Sequence, residues 1–146
     1  MLRAVSESPR RYADLDALNR AGERTLPGLI GFEVVDASPG RLEARLELRE
    51  HHLAPNGFLH AGTVVSLADT ACGYGCILAL PDGATGFTTI ELKANFLRTA
   101  LEGTLGCVAE QQHGGRTTQV WDATVTREDG QVLALFRCTQ LVLWPR

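Results

Sequence analysis

Residues 55–80 read PNGFLHAGTVVSLADTACGYGCILAL and form the longest apolar segment with helical periodicity in the chain. Its one acidic residue, Asp69, is the only charged side chain between His60 and Asp82. A solvated helix face usually carries several charged or long polar side chains, which this segment lacks. The segment therefore predicts a core helix over residues 61–80 with a functional carboxylate. A hydrated or structurally paired Asp69 is the alternative.

At about 100° per residue, this helix has two different faces. The face expected to pack against a sheet is broad and apolar, and comprises Val64, Leu67, Ala71, Tyr74 and Leu78. The opposite face places small residues around the carboxylate, and comprises Gly62, Val65, Ser66, Asp69, Cys72, Gly73 and Cys76. Two interior glycines, Gly73 and Gly75, each cost about 1 kcal/mol relative to alanine in a helix. These features indicate close approach by another backbone, a partner subunit or a ligand.

Strand patterns lie on both sides of the helix. Residues 41–48 alternate between charged and apolar side chains, which is typical of an antiparallel strand with one wet face. Glycine-containing turns separate the later strand candidates. The expected elements are a helix at 8–24, a turn at 26–28, strands at 29–37 and 41–50, the long helix, and strands at 86–98, 103–111, 116–126 and 132–143.

This order of elements predicts an α+β fold, in which an antiparallel sheet of about six strands curls around one long helix. Residues 1–25 are expected to form an N-terminal helical segment and residues 26–146 the main domain, within a single domain overall. One helix covers only one face of such a sheet. The other face, and any exposed edge strand, would need a further cover, so the pattern predicts self-association.

The composition argues against several classes of function. A net charge of −3 with no basic block argues against nucleic acid as a partner. The N-terminal residues are charged and lack the apolar region of a signal peptide, and the longest nearly apolar run, 70–81, is shorter than the ~20 residues of a membrane span. A cytoplasmic protein without a membrane partner is expected. No metal site is predicted, and small buried side chains in a reduced cytosol are expected for Cys72, Cys76, Cys107 and Cys138.

A partly buried carboxylate can act as a general base that activates water, or as a nucleophile toward an acyl carbon. The free backbone N–H groups at residues 60–62 begin the helix, and they could stabilise a developing oxyanion. His60 and Asp69 are nine residues apart, which is about 13 Å along an ideal helix, and they lie on opposite sides. They cannot pair within one chain. Either they meet across a dimer interface or they have separate roles, and for His60 a hydrogen bond to the preceding loop is the alternative.

The run N-G-F-L-H-A-G, followed by S-L-A-D-T-A with its aspartate nine residues after the histidine, resembles the hotdog-fold acyl-CoA thioesterases of the PaaI-like (phenylacetic acid degradation) type. The resemblance covers residues 26–143. It implies that Asp69 is the catalytic base or nucleophile and that the backbone N–H of Ala61 polarises the thioester carbonyl. It also implies that the hydroxyl of Thr89, contributed by the other subunit, helps to place the attacking water. A threonine chosen only for its strand propensity is the alternative.

Two departures from the family pattern concern the loop before the helix. Where the family often has His-Gly-Gly, this chain has His60, Ala61 and Gly62, a change that keeps the backbone donor. The family's loop asparagine usually stands further from the glycine than Asn56 does, so Asn56 is either a site residue or a turn former. The coenzyme A phosphates suggest contacts with exposed arginines, for which Arg98 and Arg116 are the candidates.

The sequence thus predicts a homodimeric or homotetrameric thioesterase that hydrolyses acyl-CoA or aryl-CoA. Coenzyme A enters only as part of the substrate, and no other cofactor is expected. The site residues implied are Asp69, Ala61, Thr89, His60, Asn56 and Gly62. Two alternatives are a hotdog hydratase or dehydratase acting on CoA or carrier-protein thioesters, and a non-catalytic acyl-CoA-binding module.

Overall fold

The computed structural model describes residues 14–146. A six-stranded antiparallel sheet has the strand order β1-β2-β4-β5-β6-β3, so β1 and β3 are its two edges. The helices are α1 (Leu15–Gly22), α2 (Leu26–Ile30) and α3 (Ala61–Leu78). The strands are β1 (Phe32–Ser38), β2 (Arg41–Glu47), β3 (Gly86–Phe96), β4 (Thr104–Gly114), β5 (Thr118–Thr126) and β6 (Val132–Leu143).

Helix α3 lies along the concave face of the sheet and contacts all six strands. Its residues Leu67, Ala68 and Ala71 have no exposed surface and join the apolar side chains of the strands in one core. The predicted α+β architecture, a sheet wrapped around one long helix, is therefore confirmed. By length and composition alone α3 could cross a membrane, but half of its residues are buried inside the protein. Its apolar character thus follows from its position in the core.

The sheet wraps further around α3 than the helical pattern predicted. Cys72, Gly73 and Cys76 were expected on the small-residue face opposite the sheet, but all three are buried within this chain's own core. A Cβ at Gly73 would lie 3.0 Å from a ring carbon of Phe87. The glycine therefore accommodates an aromatic ring of this chain's own sheet, as Gly75 does for Trp121. Only the N-terminal half of the helix keeps an accessible small-residue face, at Ala61, Gly62, Val65, Ser66 and Asp69.

The beginning of the described chain also differs from the prediction. Residues 26–28 were expected to turn and residues 29–37 to form a strand, yet residues 26–30 form helix α2, with proline in its first turn. Gly31 ends this helix with φ = 82°, a left-handed conformation that suits glycine. Helix α1 covers the second half of the helix predicted at 8–24; residues 8–13 of that prediction lie outside the described residues. Leu18 of α1 is buried in the common core.

Several other predicted boundaries shift by a few residues, including the end of α3 at Leu78 and the start of β5 at Thr118. Strand β2 ends at Glu47 because the chain turns into a 3-10 helix at Glu50–His52, where the sequence suggested strand to residue 50. Strand β3 ends at Phe96 instead of residue 98, and β4 continues to Gly114 instead of residue 111. These differences lie at the ends of elements, where local pattern carries least information.

The four cysteines are free and buried, as predicted. Burial raises the pKa of the Cys76 and Cys107 thiols to about 12, so both remain protonated at neutral pH. In Cys72 a hydrogen bond with Cys138 and burial together raise the thiol pKa well above its ordinary value. These thiols are therefore poor nucleophiles and act as small core side chains.

His52 is not among the residues predicted from the sequence, and it anchors the loop before α3 by hydrogen bonds. Its Nδ1 accepts a hydrogen bond from the Arg49 N–H at 2.9 Å, so Nε2 carries the proton and donates to the Ile30 carbonyl at 2.8 Å. The His52 carbonyl accepts from the Thr63 hydroxyl at 2.8 Å and from the His60 N–H at 3.1 Å. Through its buried imidazole and its backbone carbonyl, His52 thus ties α2, the loop and the first turn of α3 together.

We expect stability to fall in mild acid because of His52. Burial lowers the pKa of His52 below its ordinary value, so the unfolded chain binds a proton that the folded chain excludes. The unfolding free energy should be independent of His52 above pH ~6.5 and should decrease as the pH falls through that value. In the His52→Gln variant this decrease should be reduced, and the neutral-pH stability lower by about 1–3 kcal/mol. Denaturant titrations between pH 7.5 and 5 measure both quantities.

The matched control is His51→Gln, because His51 is adjacent but exposed. This variant should retain most of the acid dependence of the natural chain, because burial is the largest cause of the lowered His52 pKa and the charge of His51 a smaller one. An unchanged pH dependence in His52→Gln, or an equal loss in both variants, would contradict the role of His52.

Candidate active site

Asp69 lies half-buried on α3, and the Thr89 hydroxyl of β3 is 3.4 Å from its Oδ1. Burial raises the pKa of Asp69, and the hydrogen bond from Thr89 opposes this by stabilising the charged form. A carboxylate with an elevated pKa is a stronger base than a solvated one. The location therefore suits Asp69 for accepting a proton from water.

A β-bulge brings Thr89 to the helix side of the sheet. The pairing of β3 with β6 shifts register between Thr89 and Glu91, so that Thr89 opposes Gln140 while Glu91 opposes Thr139. The intervening Ile90 is the extra residue, and its side chain is 55% exposed. The contact between Thr89 and Asp69 forms within one chain. This differs from the implication of the family resemblance, in which the other subunit would supply the hydroxyl.

Gln140 is a third polar side chain in this group, and it has no exposed surface. Its Oε1 accepts a hydrogen bond from the Thr89 hydroxyl at 2.8 Å, and its Nε2 lies 3.3 Å from Cys138 Sγ. Gln140 is not among the residues predicted from the sequence. Its signal was present, because position 140 follows Ala134, Phe136 and Cys138 in the alternation of buried positions along β6.

The N-terminus of α3 presents one unpaired backbone donor. His60 is the N-cap, and its Nδ1 accepts a hydrogen bond from the Gly62 N–H at 2.7 Å. The His60 carbonyl accepts from the Thr63 N–H. Among the described residues the Ala61 N–H has no acceptor, and Ala61 is exposed. The imidazole of His60 thus takes up the second donor of the helix and leaves the first, at the positive end of the helix dipole, for an external group.

The Ala61 N–H and the Asp69 carboxylate are too far apart to act on one small group within one chain. Eight residues of α-helix separate them, which corresponds to about 12 Å along the axis. His60 is likewise remote from Asp69, and its Nδ1 is engaged in capping. The expectation that His60 and Asp69 do not pair within one chain is confirmed.

A shallow apolar cavity of about 400 Å³ opens in front of Ala61. It lies between the start of α3 and the segment that follows β3, where the Thr99 hydroxyl accepts a hydrogen bond from the Leu59 N–H. Arg98 stands at this cavity and donates to the Val132 carbonyl at 2.6 Å. Its other lining residues include Phe58, Leu59, Val64, Phe96, Leu97 and Leu133.

Two of the predicted site residues lie outside this group. The side-chain oxygen Oδ1 of Asn56 accepts a hydrogen bond from the Phe58 N–H at 3.2 Å, which is turn chemistry in an exposed loop. Arg116 is placed with its guanidinium 4.5 Å from the centre of the Trp144 ring, and it makes no contact with Asp69 or Ala61 in this chain. Within residues 14–146, no cluster of three or more His, Cys, Asp or Glu side chains could hold a metal ion.

Known proteins share both the sequence pattern and the fold. The family model described as "Thioesterase superfamily" matches residues 56–134. The 1,4-dihydroxy-2-naphthoyl-CoA hydrolase of Listeria monocytogenes is 34% identical over 110 residues, which cover 75% of this chain and 89% of that protein. Crystallised thioesterase PA1618 of Pseudomonas aeruginosa superposes with a TM-score of 0.86 at 30% identity, covering 92% of this chain and 96% of the other.

The PaaI protein of the Escherichia coli phenylacetic acid degradation operon has the same fold, with a TM-score of 0.76 at 24% identity over 86% of this chain and 89% of that protein. The resemblance to hotdog-fold thioesterases predicted from N-G-F-L-H-A-G and S-L-A-D-T-A is thus confirmed. The matched region includes the helix N-terminus at Ala61, the carboxylate at Asp69 and the hydroxyl at Thr89. The chain belongs to the thioesterase superfamily and is a thioester hydrolase with the hotdog fold.

Proposed function

We propose that this protein is a cytoplasmic homodimer that hydrolyses acyl-CoA or aryl-CoA, with each active site built from two subunits. Asp69 of one subunit activates the water, and the Ala61 N–H of the other stabilises the oxyanion. The observation that carries this proposal is the ~12 Å between these two groups on one rigid helix. A second helix running antiparallel to the first would bring the base of each chain to the helix N-terminus of the other.

The proposed reaction needs no cofactor beyond the coenzyme A of the substrate. Asp69 takes a proton from water while the water oxygen attacks the thioester carbonyl carbon. The carbonyl oxygen becomes negative and accepts the Ala61 N–H hydrogen bond at the positive end of the helix dipole. The tetrahedral intermediate then collapses, the C–S bond breaks, and the proton held by Asp69 passes to the departing thiolate. The products are the free acid and coenzyme A.

The edge of the sheet supports the dimer. Strand β3 has a neighbour on one side only, and its residues Ile90, Leu92 and Phe96 are 55%, 42% and 48% exposed. An edge strand with exposed apolar side chains favours pairing with another strand. The open face of α3 adjoins this edge and has small residues at Gly62, Val65 and Ser66, which allow close approach of a second helix. A dimer suffices for the proposed site, with or without further association of two dimers into a tetramer.

We infer that the apolar part of the substrate lies in the cavity beside Ala61. A carbonyl bound to the Ala61 N–H would have Phe58, Phe96 and Leu97 as its apolar neighbours. Aromatic side chains suit flat aryl groups, and the similar hydrolase of Listeria monocytogenes is named for an aryl thioester, 1,4-dihydroxy-2-naphthoyl-CoA. Arg98 at the same cavity is the candidate for the coenzyme A phosphates, and Arg116 could serve only from a partner subunit.

The hydratase alternative receives less support. That chemistry would pair a histidine with a carboxylate as acid and base, but Nδ1 of His60 holds the Gly62 N–H and so fixes the ring at the helix end. A non-catalytic binding module would use the same cavity. Substitution of Asp69 distinguishes such a module from an enzyme, because ligand binding without turnover would survive changes at Asp69.

Replacing Asp69 by asparagine should abolish hydrolysis and preserve the fold. The amide has nearly the same shape and cannot accept the proton, so kcat for the best acyl- or aryl-CoA substrate should fall by about 10²–10⁴-fold. Release of free thiol across a panel of acyl- and aryl-CoA thioesters measures this change. Asp82→Asn is the control, since Asp82 is exposed beyond the end of α3. Full turnover by Asp69→Asn would refute the catalytic assignment, and no turnover of any substrate by the natural chain would favour a binding module.

The same variant should be more stable than the natural chain at neutral pH. Because burial raises the pKa of Asp69 in the folded chain, ionisation costs more there than in the unfolded chain. This penalty is fully present above the folded pKa and absent below the unfolded value of about 3.9. At pH 7 the melting temperature of Asp69→Asn should be higher by about 1–4 °C. The difference should disappear near pH 3.5, and a variant that is less stable at pH 7 would contradict this account.

Ala61→Pro should remove the oxyanion donor and leave the helix intact. Proline lacks the backbone N–H and is well tolerated at the first position of a helix. His60 before it already has the extended conformation, φ = −68° and ψ = 130°, that a residue preceding proline adopts. We expect a loss of about 10²–10³-fold in kcat with little change in melting temperature. Ala61→Ser retains the N–H and should remain active, and an active Ala61→Pro would exclude this donor.

Mixing the two inactive variants should restore activity if the site spans two subunits. A heterodimer of Asp69→Asn and Ala61→Pro contains one site with both defects and one site with neither. After unfolding and joint refolding of an equal mixture, about a quarter of the natural activity should return. Each variant refolded alone serves as the control. Differently tagged chains show whether the mixture contains heterodimers. If heterodimers are present and no activity returns, both groups belong to a site within one subunit.

A further inference from the structure

The hydroxyl of Thr89 lies between two hydrogen-bond acceptors. Gln140 Oε1 is 2.8 Å from it and Asp69 Oδ1 is 3.4 Å from it. A hydroxyl has one proton to donate, while its oxygen can accept. At any moment Thr89 can therefore donate to the amide or to the carboxylate, and the shorter distance favours the amide.

The amide of Gln140 is held with its oxygen toward Thr89. Its Nε2 is directed at Cys138 Sγ at 3.3 Å, and the thiol of Cys138 in turn hydrogen-bonds that of Cys72. Gln140 is fully buried, so no solvent competes for its Oε1. The acceptor next to Thr89 is thus fixed by the packing of β6 against α3.

We propose that Gln140 is a positioning residue that controls the basicity of Asp69 by competing with it for the Thr89 proton. The proposal rests on the assignment of Asp69 as the base, and it adds a group that touches neither substrate nor water. When Gln140 holds the hydroxyl proton, the Asp69 carboxylate loses a donor that would stabilise its charge. The carboxylate is then a better proton acceptor than Thr89 alone would allow.

The same arrangement satisfies both protonation states of the base. While Asp69 is ionised, the hydroxyl of Thr89 can rotate its hydrogen toward either acceptor. Once Asp69 has taken a proton from water, its O–H can donate to the Thr89 oxygen, whose own hydrogen then points to Gln140. No bond forms or breaks in Thr89 or Gln140, and only the hydroxyl hydrogen changes direction. Without Gln140, the hydrogen of the Thr89 hydroxyl would have no fixed acceptor while the Thr89 oxygen accepts from protonated Asp69.

In the described chain, the groups that surround the Asp69 carboxylate are neutral. The stabilisation of its charge therefore depends on Thr89 and Gln140. On its own helix the titratable group that interacts with Asp69 is Cys72, and the Cys72 pKa is raised well above its ordinary value. From β6 and β4 the titratable side chains facing α3 are Cys138 and Cys107, both buried thiols. On β3 the nearest carboxylate, Glu91, accepts a hydrogen bond from Thr139 on the outer face of the sheet. Trp121 of β5 faces α3 and does not titrate.

The test measures the pKa of Asp69 directly, by carbon-13 NMR titration of its side-chain carboxyl. In parallel, kcat is measured against pH to locate the acid limb of the profile. Asp69→Asn identifies the resonance by its disappearance. In Gln140→Met, which keeps the length of the side chain but offers only a weak acceptor, the Thr89 proton goes to Asp69. The pKa of Asp69 should then fall by roughly half a unit, with the acid limb of kcat moving equally and kcat itself decreasing several-fold.

Two further variants separate this effect from a general disturbance. Thr89→Val removes the donor and should raise the pKa of Asp69, and in the Thr89→Val, Gln140→Met double variant the second change should have no additional effect. Gln119→Met is the matched control. Gln119 is also a fully buried amide and lies opposite Gln140 on β5, but it bonds Trp121 Nε1 and the Ala79 carbonyl. Its replacement should lower stability without moving the pKa of Asp69.

Three results would overturn the proposal: an unchanged or increased pKa of Asp69 in Gln140→Met, an equal fall in Gln119→Met, or an undiminished effect of Gln140→Met in the Thr89→Val background. The NMR titration does not depend on turnover. If Asp69→Asn retained full activity, the proposed function would fail while the coupling between Gln140 and Asp69 could still be measured. If Asp69→Asn were inactive and Gln140→Met left the pKa unchanged, only the role of Gln140 would fail.

Discussion

The enclosure of α3 by one face of a six-stranded sheet is the constraint on which the rest of this structure depends. Six strands that contact one helix leave it little open surface, and the buried glycines Gly73 and Gly75 let the rings of Phe87 and Trp121 approach the helix backbone. The C-terminal half of α3 is thereby committed to the core. Functional groups are accessible only on the N-terminal half, which includes both Ala61 and Asp69.

A helix that is this well packed is a rigid spacer between the two groups that are proposed to hydrolyse the thioester. The polarising N–H must be at the helix N-terminus, because only there is a backbone donor without an acceptor. The carboxylate must be further along, where the sheet can desolvate it and β3 can supply a hydroxyl. The rigidity that keeps each group in place also keeps them about 12 Å apart. The proposed dimer, with a two-fold axis across the open face of α3, would resolve this conflict without any change in the fold.

Much of this arrangement could be predicted from the sequence, since the relevant signals are local. The alternation in residues 41–48 indicated a strand, and the isolated Asp69 in an apolar helix indicated the site. Helix α2 was missed because a proline and a glycine at positions 27 and 28 also suit a turn. The packing of Cys72, Gly73 and Cys76 against this chain's own sheet was missed because helical periodicity gives the direction of a side chain but not how far a curved sheet extends around the helix.

The polar residues that sequence reasoning missed depend on tertiary contacts. His52 reaches Ile30, 22 residues away, and Gln140 reaches Thr89, 51 residues away. A period-two pattern could have indicated Gln140 as a polar residue at a buried position of β6, but its partner is specified by the β-bulge at Ile90. Without that extra residue, Thr89 and Leu92 would lie on opposite faces of the sheet. The bulge thus sets which hydroxyl meets Asp69, and it lies on the edge strand where a second subunit is proposed to dock. The geometry of the base and the assembly of the site are therefore linked through one short segment of β3.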